Sequence, residues 1–401
     1  MLTVKDAELS DKRILLRVDF NVPVDENGEI QDDSRIKAAV PTISHILEQR
    51  PRQLIIMSHL GEPEGKVVEN LKLDKVSERL TQILEKTVYK TKDCIVSRMP
   101  GEGLILLENV RFHKEEMENS DEFAAKLASY GDIYINDAFG VCHREHASVH
   151  AITKLLPSYI GFLIEKELAN LDIDKMERPV YSVLGGGKLK TKIPLIKRML
   201  LKTDKVIAGG GMIFTFYKAK RWETGQSVVD DSYMKDAEMM VHNENLYLPE
   251  DIVTAESTAE GMKIRTVAAD ALGADMKGLD VGEASMAKIK EMLKNAKTIL
   301  WNGPLGYYEK PPFDKATNEL AQYLSELTCT RIIGGGDTAE VVHALGLESK
   351  FTFISSGGGA ALEVLSGSEL AAMKAMRESQ ARDDADQPDP TISPAEEDEQ
   401  E

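Results

Sequence analysis

The stretch Val180-Tyr-Ser-Val-Leu-Gly-Gly-Gly187 joins a five-residue apolar run to three consecutive glycines. Three later stretches have a similar form: residues 205–208 before glycines 209–211, residues 331–333 before glycines 334–336, and residues 351–354 before glycines 357–359. Apolar, β-branched runs of this length predict buried parallel strands. Glycine behind a strand lets backbone N–H groups approach an anion, and a helix that starts there adds the positive end of its dipole. One such turn is common, but four in one half of the chain predict anion cradles.

The first half contains four further apolar runs, and each leads into polar side chains. Residues 14–18 lead to Asp19 and Asn21, residues 54–57 to Ser58 and His59, residues 104–107 to Glu108 and Arg111, and residues 133–135 to Asn136 and Asp137. Helical patterns at residues 74–85 and 121–130 lie between these runs. Strands that alternate with helices predict an α/β fold with doubly wound parallel sheets, covered by helices on both faces.

Polar side chains behind the strands are the candidate binding groups, because ligands of such sheets bind outside the carboxyl ends of the strands. The first-half set consists of Asp19, Asn21, Arg35, His59, Arg111, His143 and Arg144. Arginine binds carboxylates and phosphates through two parallel hydrogen bonds. Each arginine alone would more often form a surface or structural ion pair, but their shared position favours an anionic ligand.

The second half offers glycine and lysine instead. Lys188 and Lys192 lie four residues apart behind the first triplet, so a helix that starts there places both near its N-terminus. Asp337 follows the third triplet and is a candidate ligand of Mg²⁺, which binds few carboxylates together with substrate phosphates. The alternative is that Asp337, or Thr338 beside it, caps a helix. The sequence motifs of P-loop and Rossmann dinucleotide enzymes do not occur.

Length and composition predict a two-domain cytoplasmic protein. A chain of 401 residues exceeds what one hydrophobic core usually serves. The N-terminus shows no signal or transit pattern, and no apolar run reaches the roughly 18 residues that a membrane span needs. The three cysteines, Cys94, Cys142 and Cys329, are widely scattered, which argues against a disulfide framework.

Half of the formal net charge of −18 lies at the C-terminal end. Residues 378–401 contain ten Asp or Glu and one Arg, and almost no large apolar side chains. Such a segment cannot bury enough surface to offset its ordering entropy, so we expect an acidic disordered tail that is either solubilising or an interaction segment. The body of the chain is acidic too and has no basic stripe, which argues against nucleic acid as a partner.

Seven motifs resemble, in order and spacing, those of the phosphoglycerate kinase family over about residues 10–370. They are Arg17-Val-Asp-Phe-Asn-Val-Pro23, Ser58-His-Leu-Gly61, Leu107-Glu-Asn-Val-Arg-Phe112, Asn136-Asp-Ala-Phe-Gly140 with His143-Arg144, Gly161-Phe-Leu-Ile-Glu-Lys-Glu-Leu168, Trp301-Asn-Gly-Pro304 and Gly335-Gly-Asp-Thr338. The resemblance implies two Rossmann-like domains joined by a helix, with a cleft between them. We expect a phosphoglycerate-binding domain at 1–158, a connecting helix at 159–173, a nucleotide-binding domain at 174–360, and a segment at 361–377 that returns to the first domain.

The resemblance also implies residue roles. The residues matched to substrate binding are Arg17, Asp19, Asn21, Arg35, His59, Arg111, His143 and Arg144. Those matched to Mg²⁺-nucleotide are Lys192, Gly278, Asn302, Glu309, Gly335, Gly336, Asp337 and Thr338, and we add Gly186, Gly187, Gly210 and Gly211 from the first two triplets. Asp337 is the candidate metal ligand, and Arg35 and Lys188 are the candidate catalytic residues that neutralise the transferring phosphoryl group.

The implied activity is reversible transfer of the acyl phosphate of 1,3-bisphosphoglycerate to ADP, which gives 3-phosphoglycerate and ATP in glycolysis or gluconeogenesis. Because phosphoryl transfer needs little covalent help, catalysis would come from alignment and charge neutralisation. We expect a monomer. Two alternatives stay open: a nucleotide-binding relic that uses the fold for interaction, and a kinase for another carboxylate such as acetate or aspartate.

Glu62 departs from the family pattern. In Ser58-His-Leu-Gly-Glu-Pro-Glu-Gly65 it stands where the family usually has a substrate-contacting arginine. A carboxylate at this position repels an anionic substrate. We therefore expect Glu62 to point outward, or its charge to be offset by Lys66.

Overall fold

The computed structural model describes residues 1–101, 103–187, 189–259 and 262–385, which form two compact units. Unit 1 contains Met1–Glu165 and the chain from Glu369 onward, and unit 2 contains Lys166–Ser368. The division falls inside a helix, Phe162–Asn170. The domain boundaries expected at residues 158, 173 and 360 stay predictions. No helix of the described residues is both long enough and apolar enough to cross a membrane.

Unit 1 is built on a sheet of six parallel strands. In chain order they are β1 Arg13–Val18, β2 Gln53–Met57, β3 Val88–Lys90, β4 Gly103–Leu106, β5 Ile133–Asp137 and β6 Ser158–Ile160. Their order across the sheet is β3-β4-β2-β1-β5-β6. The chain therefore winds from β1 to one side and then from β5 to the other. The carboxyl ends of β1 and β5 are neighbours at this switch, where an α/β sheet binds its ligands.

Strand β1 has apolar side chains at three consecutive positions, residues 14–16. Ile14 and Leu16 pack with Ile36 in one hydrophobic cluster, whereas Leu15 packs with Phe123 in another. Successive side chains of a strand point to opposite faces, so both faces of the sheet are covered. The prediction of a sheet covered on both faces is confirmed.

The helices of unit 1 connect these strands. They are α1 Ser34–Glu48, α2 Asp74–Leu84, α3 Lys114–Met117 and α4 Asp121–Ala128, followed by α5 Phe162–Asn170, within which the two units divide. A 3-10 turn at Val110–Phe112 follows β4, and the Oδ1 atom of Asn109 accepts a hydrogen bond from the N–H of Arg111 at 3.1 Å. This cap fixes the backbone that carries Arg111.

The last helix of the chain belongs to unit 1 and corrects one expectation. Residues 378–385, assigned from composition to a disordered tail, are the end of a helix, Ala371–Ala385. Ala372 and Met376 are fully buried, and the side-chain amide of Gln380 donates to the carbonyl oxygen of Ser158 at 2.9 Å. Apolar anchors before residue 378 hold the helix, and the acidic residues continue it. The rest of the expected tail, residues 386–401, lies outside the described residues.

Unit 2 contains the second sheet of six parallel strands. They are β7 Val180–Leu184, β8 Lys205–Ala208, β9 Leu246–Tyr247, β13 Thr298–Asn302, β14 Thr330–Ile333 and β15 Phe353–Ile354. Their order is β15-β14-β13-β7-β8-β9, which is the order of a Rossmann sheet. The switch lies between β7 and β13, so the first glycine triplet follows the strand at the switch.

An antiparallel sheet of three strands was not predicted from the sequence. It consists of β10 Asp251–Ala255, β11 Arg265–Ala268 and β12 Lys277–Val281, in the order β11-β10-β12. Strand β11 is mostly exposed, so it lacks the apolar run that marks the other strands.

The helices of unit 2 are α6 Leu189–Lys202, α7 Ile213–Ala219, α8 Met234–Met240, α9 Glu283–Leu293, α10 Lys315–Glu326, α11 Gly336–Ala344 and α12 Gly359–Ser366. They precede α13 Ala371–Ala385 of unit 1.

The first two glycine triplets allow strand ends to approach each other closely. The N–H of Gly185 donates to the carbonyl oxygen of Asn302 at 2.9 Å, and the N–H of Gly186 donates to that of Pro304 at 2.8 Å. A Cβ atom on Gly185 would lie 2.0 Å from the Pro304 oxygen, and one on Gly210 would lie 2.4 Å from the nitrogen of Gly186. Backbone proximity therefore requires glycine at these positions.

We expect Gly185→Ala to lower the free energy of unfolding by about 2–3 kcal/mol, because its Cβ cannot fit without moving the Pro304 carbonyl. Gly187→Ala is the matched control, since a Cβ there meets no atom within 4 Å, and it should leave stability almost unchanged. Chemical denaturation measures both variants. Equal losses would show that close approach is not the reason for Gly185.

Candidate active site

Polar side chains at the carboxyl ends of β1 and β2 form one cluster in unit 1. Arg35 forms an ion pair with Asp19, and the Nε2 atom of His59 lies 4.0 Å from the Oδ1 atom of Asp19. The side chain of Asn21 accepts a hydrogen bond from the N–H of Gly61 at 2.8 Å. The structure thus brings together Asp19, Arg35 and His59, as the sequence predicted. We use "arginine rim" for the arginines and histidines in and around this cluster: Arg17, Arg35, His59, Arg111, His143, Arg144 and His146.

Arg17 is the fully buried member of the rim. Its Nε donates to the hydroxyl of Ser148 at 2.8 Å, its Nη1 donates to the carbonyl oxygen of Val18, and its Nη2 lies 3.2 Å from Nδ1 of His59. The Ser148 hydroxyl donates in turn to the buried carboxylate of Glu116 at 2.6 Å. These contacts make Arg17 a positioning residue that fixes His59, and a source of positive charge beneath the site.

Burial and nearby arginines lower the pKa values of both His59 and His146. Burial holds the pKa of His59 well below its usual range, and the guanidinium groups of Arg17 and Arg111 lower it further. Burial and the same two arginines lower the pKa of His146 to about 3. Both imidazoles are therefore neutral near pH 7. The guanidinium charges that add to these shifts would favour an anion beside the two imidazoles.

Three buried nitrogen atoms of the rim have no hydrogen-bond partner among the described residues: Nε of Arg111, Nδ1 of His143 and Nδ1 of His146. Burial and the charge of Arg144 also lower the pKa of His143. Buried polar atoms are nearly always paired in native proteins. Unpaired donors beside cationic groups indicate a place where an anionic ligand supplies the missing acceptors.

His146 was missed by the sequence analysis. Its side chain is only 9% exposed, and its Nδ1 lies 3.9 Å from Oε1 of Glu116. The signal that could have identified it is its position in the same short segment as His143 and Arg144 behind β5. A single buried histidine more often fills a structural role, and the arginines around His146 distinguish it from that case.

Glu62 is paired with the rim instead of with Lys66. The Nη1 atom of Arg111 donates to Oε1 of Glu62 at 2.8 Å and to the carbonyl oxygen of Gly61 at 2.9 Å. The side chain of Glu62 is 70% exposed, whereas that of Arg111 is 3% exposed. Glu62 thus reaches in from the solvent and occupies a donor of a candidate substrate-binding arginine. An anion that binds Arg111 must displace this carboxylate.

In unit 2, Lys192 of α6 meets the carboxyl end of β13. Its ammonium group donates to the side-chain oxygen of Asn302, and the amide of Asn302 donates to the carbonyl oxygen of Gly334 at 2.5 Å. Burial lowers the pKa of Lys192 to about 8, while the charge of Asp337 opposes this shift. The structure therefore brings together Lys192, Asn302 and the third glycine triplet, as the sequence predicted.

Two N–H groups of the first two glycine triplets are already paired within the fold. The N–H groups of Gly186 and Gly210 donate to the carbonyl oxygens of Pro304 and Leu305, at 2.8 and 2.7 Å. Both donors are used inside the fold because the loops cross closely. Gly187 and Gly211 lie side by side, with 3.3 Å between a Cβ on Gly211 and the Cα of Gly187. Gly187 and Gly211 therefore present adjacent backbone without side chains, and their part in nucleotide binding stays a prediction.

The third triplet leads into helix α11. Gly335 has a positive φ of 103°, and a Cβ there would lie 3.0 Å from the amide nitrogen of Asn302. Helix α11 begins at Gly336, so its first N–H groups face an incoming anion. Thr338 is buried, and its hydroxyl accepts a hydrogen bond from the N–H of Gly303 at 2.7 Å. Thr338 therefore joins two loops instead of capping the helix.

The remaining candidates lie around this helix or elsewhere in unit 2. Asp337 and Glu309 are exposed, and their charges both contribute, after burial, to a pKa of about 12 for Tyr308. Gly278 lies in β12, where a Cβ would lie 2.1 Å from the ring of Phe214 in α7. Lys188, one of the two candidate catalytic residues, lies outside the described residues.

Comparison with known proteins identifies the family. A model described as "Phosphoglycerate kinase" matches residues 4–368. A phosphoglycerate kinase of Pelotomaculum thermopropionicum is 43% identical over 388 residues, which cover 93% of this chain and 98% of that relative. One of Prochlorococcus marinus is 44% identical over 393 residues, which cover 94% and 97%. A solved phosphoglycerate kinase of Coxiella burnetii superposes with a TM-score of 0.83 at 35% identity and covers 94% of this chain and 99% of that one.

The chain belongs to the phosphoglycerate kinase family. It is accordingly a kinase of glycolysis, a phosphotransferase with a carboxyl group as acceptor. The prediction drawn from the seven motifs is confirmed at the level of family, fold and activity. The roles of single residues stay predictions.

We expect Glu62→Arg to lower the Michaelis constant for 3-phosphoglycerate roughly fivefold, because it removes an ion pair that competes for Arg111. Steady-state kinetics at fixed ionic strength measures the change. Glu64→Arg is the matched control, because Glu64 is exposed two residues away and the same charge reversal should have little effect there. Equal decreases in both variants would indicate general charge attraction and would contradict the competition.

Proposed function

We propose that the arginine rim binds the carboxylate and phosphate of 3-phosphoglycerate, or the acyl phosphate of 1,3-bisphosphoglycerate. The observation that supports this is the crowding of cationic groups around unpaired buried nitrogen atoms. A substrate with two anionic groups has enough negative charge to relieve the repulsion and enough oxygen atoms to pair these donors. Arg111 and Arg144 are the proposed partners of one anionic group, and Arg35 is the proposed partner of the other.

The proposed nucleotide site is formed by the ends of β7, β8, β13 and β14 in unit 2. Gly187 and Gly211 leave room for the ligand, while Lys192 and the first turn of α11 supply positive charge for its phosphates. Lys192 is buried and has a lowered pKa. A phosphate beside it would raise this pKa and favour the charged ammonium form. Gly278 and Glu309 are proposed contacts for the nucleoside end.

The proposed reaction forms one bond and breaks one bond. In the direction of ATP synthesis, a β-phosphate oxygen of ADP forms a bond to the acyl phosphorus of 1,3-bisphosphoglycerate. The bond from that phosphorus to the acyl oxygen breaks, and its electron pair leaves with the carboxylate of 3-phosphoglycerate. No proton transfer is needed. Arg35 and Lys188 are proposed to neutralise the charge on the three oxygens of the transferring group. Such charge neutralisation is a main part of how proteins catalyse phosphoryl transfer.

The residues present fit a Mg²⁺ ion bound together with the nucleotide. Asp337 is exposed at the start of α11, and no side-chain cap is present at this end of the helix in the described part of the chain. An exposed carboxylate oxygen beside a phosphate site is the usual protein ligand of Mg²⁺. When bound, the ion would neutralise charge on the phosphate oxygens. We propose Asp337 as its protein ligand.

We further propose that the protein acts in the cytoplasm as a monomer. Three scattered cysteines support a reducing compartment. The acidic net charge argues against nucleic acid as a partner. Sedimentation of the purified protein tests the monomer.

We expect Arg35→Lys to lower kcat for ATP formation by about a hundredfold, because lysine cannot keep the planar fork that meets both Asp19 and a phosphoryl oxygen. Affinity for ADP, measured separately by calorimetry, should not change. Arg79→Lys is the matched control, because Arg79 pairs with Asp33 at 2.6 Å on the surface of the same unit.

Three outcomes would contradict the proposal. Full activity of Arg35→Lys would remove Arg35 from the catalytic set. A wild-type protein that binds ADP but does not form ATP from 1,3-bisphosphoglycerate would favour the binding relic. Acetate and aspartate, tested as acceptors of phosphate from ATP, would reveal a different carboxylate kinase.

A further inference from the structure

Asp93, Cys94 and His113 form a cluster of three potential metal ligands in unit 1. One ligand atom of each side chain, a carboxylate oxygen, the sulfur and a ring nitrogen, lies within 4.8 Å of the other two. Asp93 and Cys94 belong to the loop after β3, and His113 follows the 3-10 turn that carries Arg111. Neither the nucleotide site nor the substrate contacts proposed above use these residues.

Asp93 connects the two segments. Its Oδ1 lies 2.7 Å from Nε2 of His113 and accepts a hydrogen bond from the N–H of Ile95 at 3.1 Å. The loop is held further by the hydroxyl of Thr91, which donates to the carbonyl oxygen of Asp93 at 2.6 Å. These contacts hold the carboxylate beside His113, and about half of its side-chain surface is exposed.

Cys94 brings a buried thiol to the same place. Its residue has no exposed surface, and its sulfur lies within 4.8 Å of the ligand atoms of Asp93 and His113. A soft divalent cation displaces the proton of a cysteine thiol on binding, because thiolate is its preferred ligand.

We propose that Asp93, Cys94 and His113 bind one thiophilic divalent cation, with Zn²⁺ as the typical case. Oxygen, sulfur and imidazole nitrogen from three side chains, with a water in the fourth position, complete a tetrahedral site. Ligand atoms of such a site lie about 3.5 Å apart, given bonds of about 2.0–2.3 Å. A shift of about 1 Å in the partly exposed side chains of Asp93 and His113 would close the cluster around the ion.

Binding balances in charge and protons. The thiol of Cys94 releases one proton, the sulfur forms a bond to the metal, and His113 binds through a ring nitrogen that carries no proton. One carboxylate and one thiolate then neutralise the two charges of the cation. The bound metal would join the loop after β3 to the segment that carries Arg111. A hard ion such as Mg²⁺ does not compete, because it prefers oxygen ligands.

The test uses the full-length reduced protein, freed of metal with a chelator and titrated with Cd²⁺, whose thiolate complexes absorb in the ultraviolet. We expect a charge-transfer band that saturates at one Cd²⁺ per chain, is displaced by Zn²⁺ and is unaffected by excess Mg²⁺. Cys94→Ser should abolish the band. His113→Gln should weaken Cd²⁺ binding by roughly tenfold or more.

Two variants serve as matched controls, because each changes the same residue type outside the cluster. Cys329→Ser and His242→Gln should leave both the band and the affinity unchanged. Absence of the band from the wild type, or its loss in Cys329→Ser, would overturn the proposal. So would equal affinity in His113→Gln, a variant of a partly exposed residue that keeps the test decisive if Cys94→Ser does not fold.

Discussion

Burial of the Arg17 guanidinium is the constraint on which the substrate side of this protein depends. A charge without solvent must be paired inside the fold, and Arg17 is paired through the Val18 carbonyl, His59 and the link from Ser148 to Glu116. These contacts fix His59 and leave one more positive charge beneath the site. Burial, with the charges of Arg17 and Arg111, keeps the neighbouring imidazoles of His59 and His146 neutral. The four arginines of the rim face three carboxylates, those of Asp19, Glu62 and Glu116.

In unit 2 the proposed ligand site is built mainly from backbone, in contrast to the charged side chains of the rim. Gly185 and Gly210 allow the ends of β7, β8 and β13 to cross within hydrogen-bond distance, and this crossing consumes N–H groups that a simple cradle would offer to phosphate. The positive charge comes instead from Lys192 and from the start of α11. One fold class would thus support both proposed anion sites, one made of guanidinium groups and one of close backbone with a buried lysine.

The sequence predicted the parallel strands and which polar side chains follow them, because buried strands and the side chains behind them are local patterns. It did not predict the small antiparallel sheet, since β11 is exposed and carries no apolar run. The sequence also did not predict which distant residues contact each other. The pairing of Glu62 with Arg111, the consumption of the Gly186 N–H and the depressed pKa of His146 all depend on residues far away in the chain. Composition alone likewise placed the start of the tail too early.

We propose that the guanidinium groups of the rim bind an anion, and that this anion raises the pKa of the neighbouring His146 imidazole. The most direct measurement is an NMR titration of the His146 imidazole, with and without 3-phosphoglycerate. The account predicts that the free imidazole stays neutral over the pH range in which the protein is folded, in line with a pKa of about 3, and that its pKa rises when the ligand binds. A pKa near the ordinary value of 6.5, unchanged by the ligand, would contradict it.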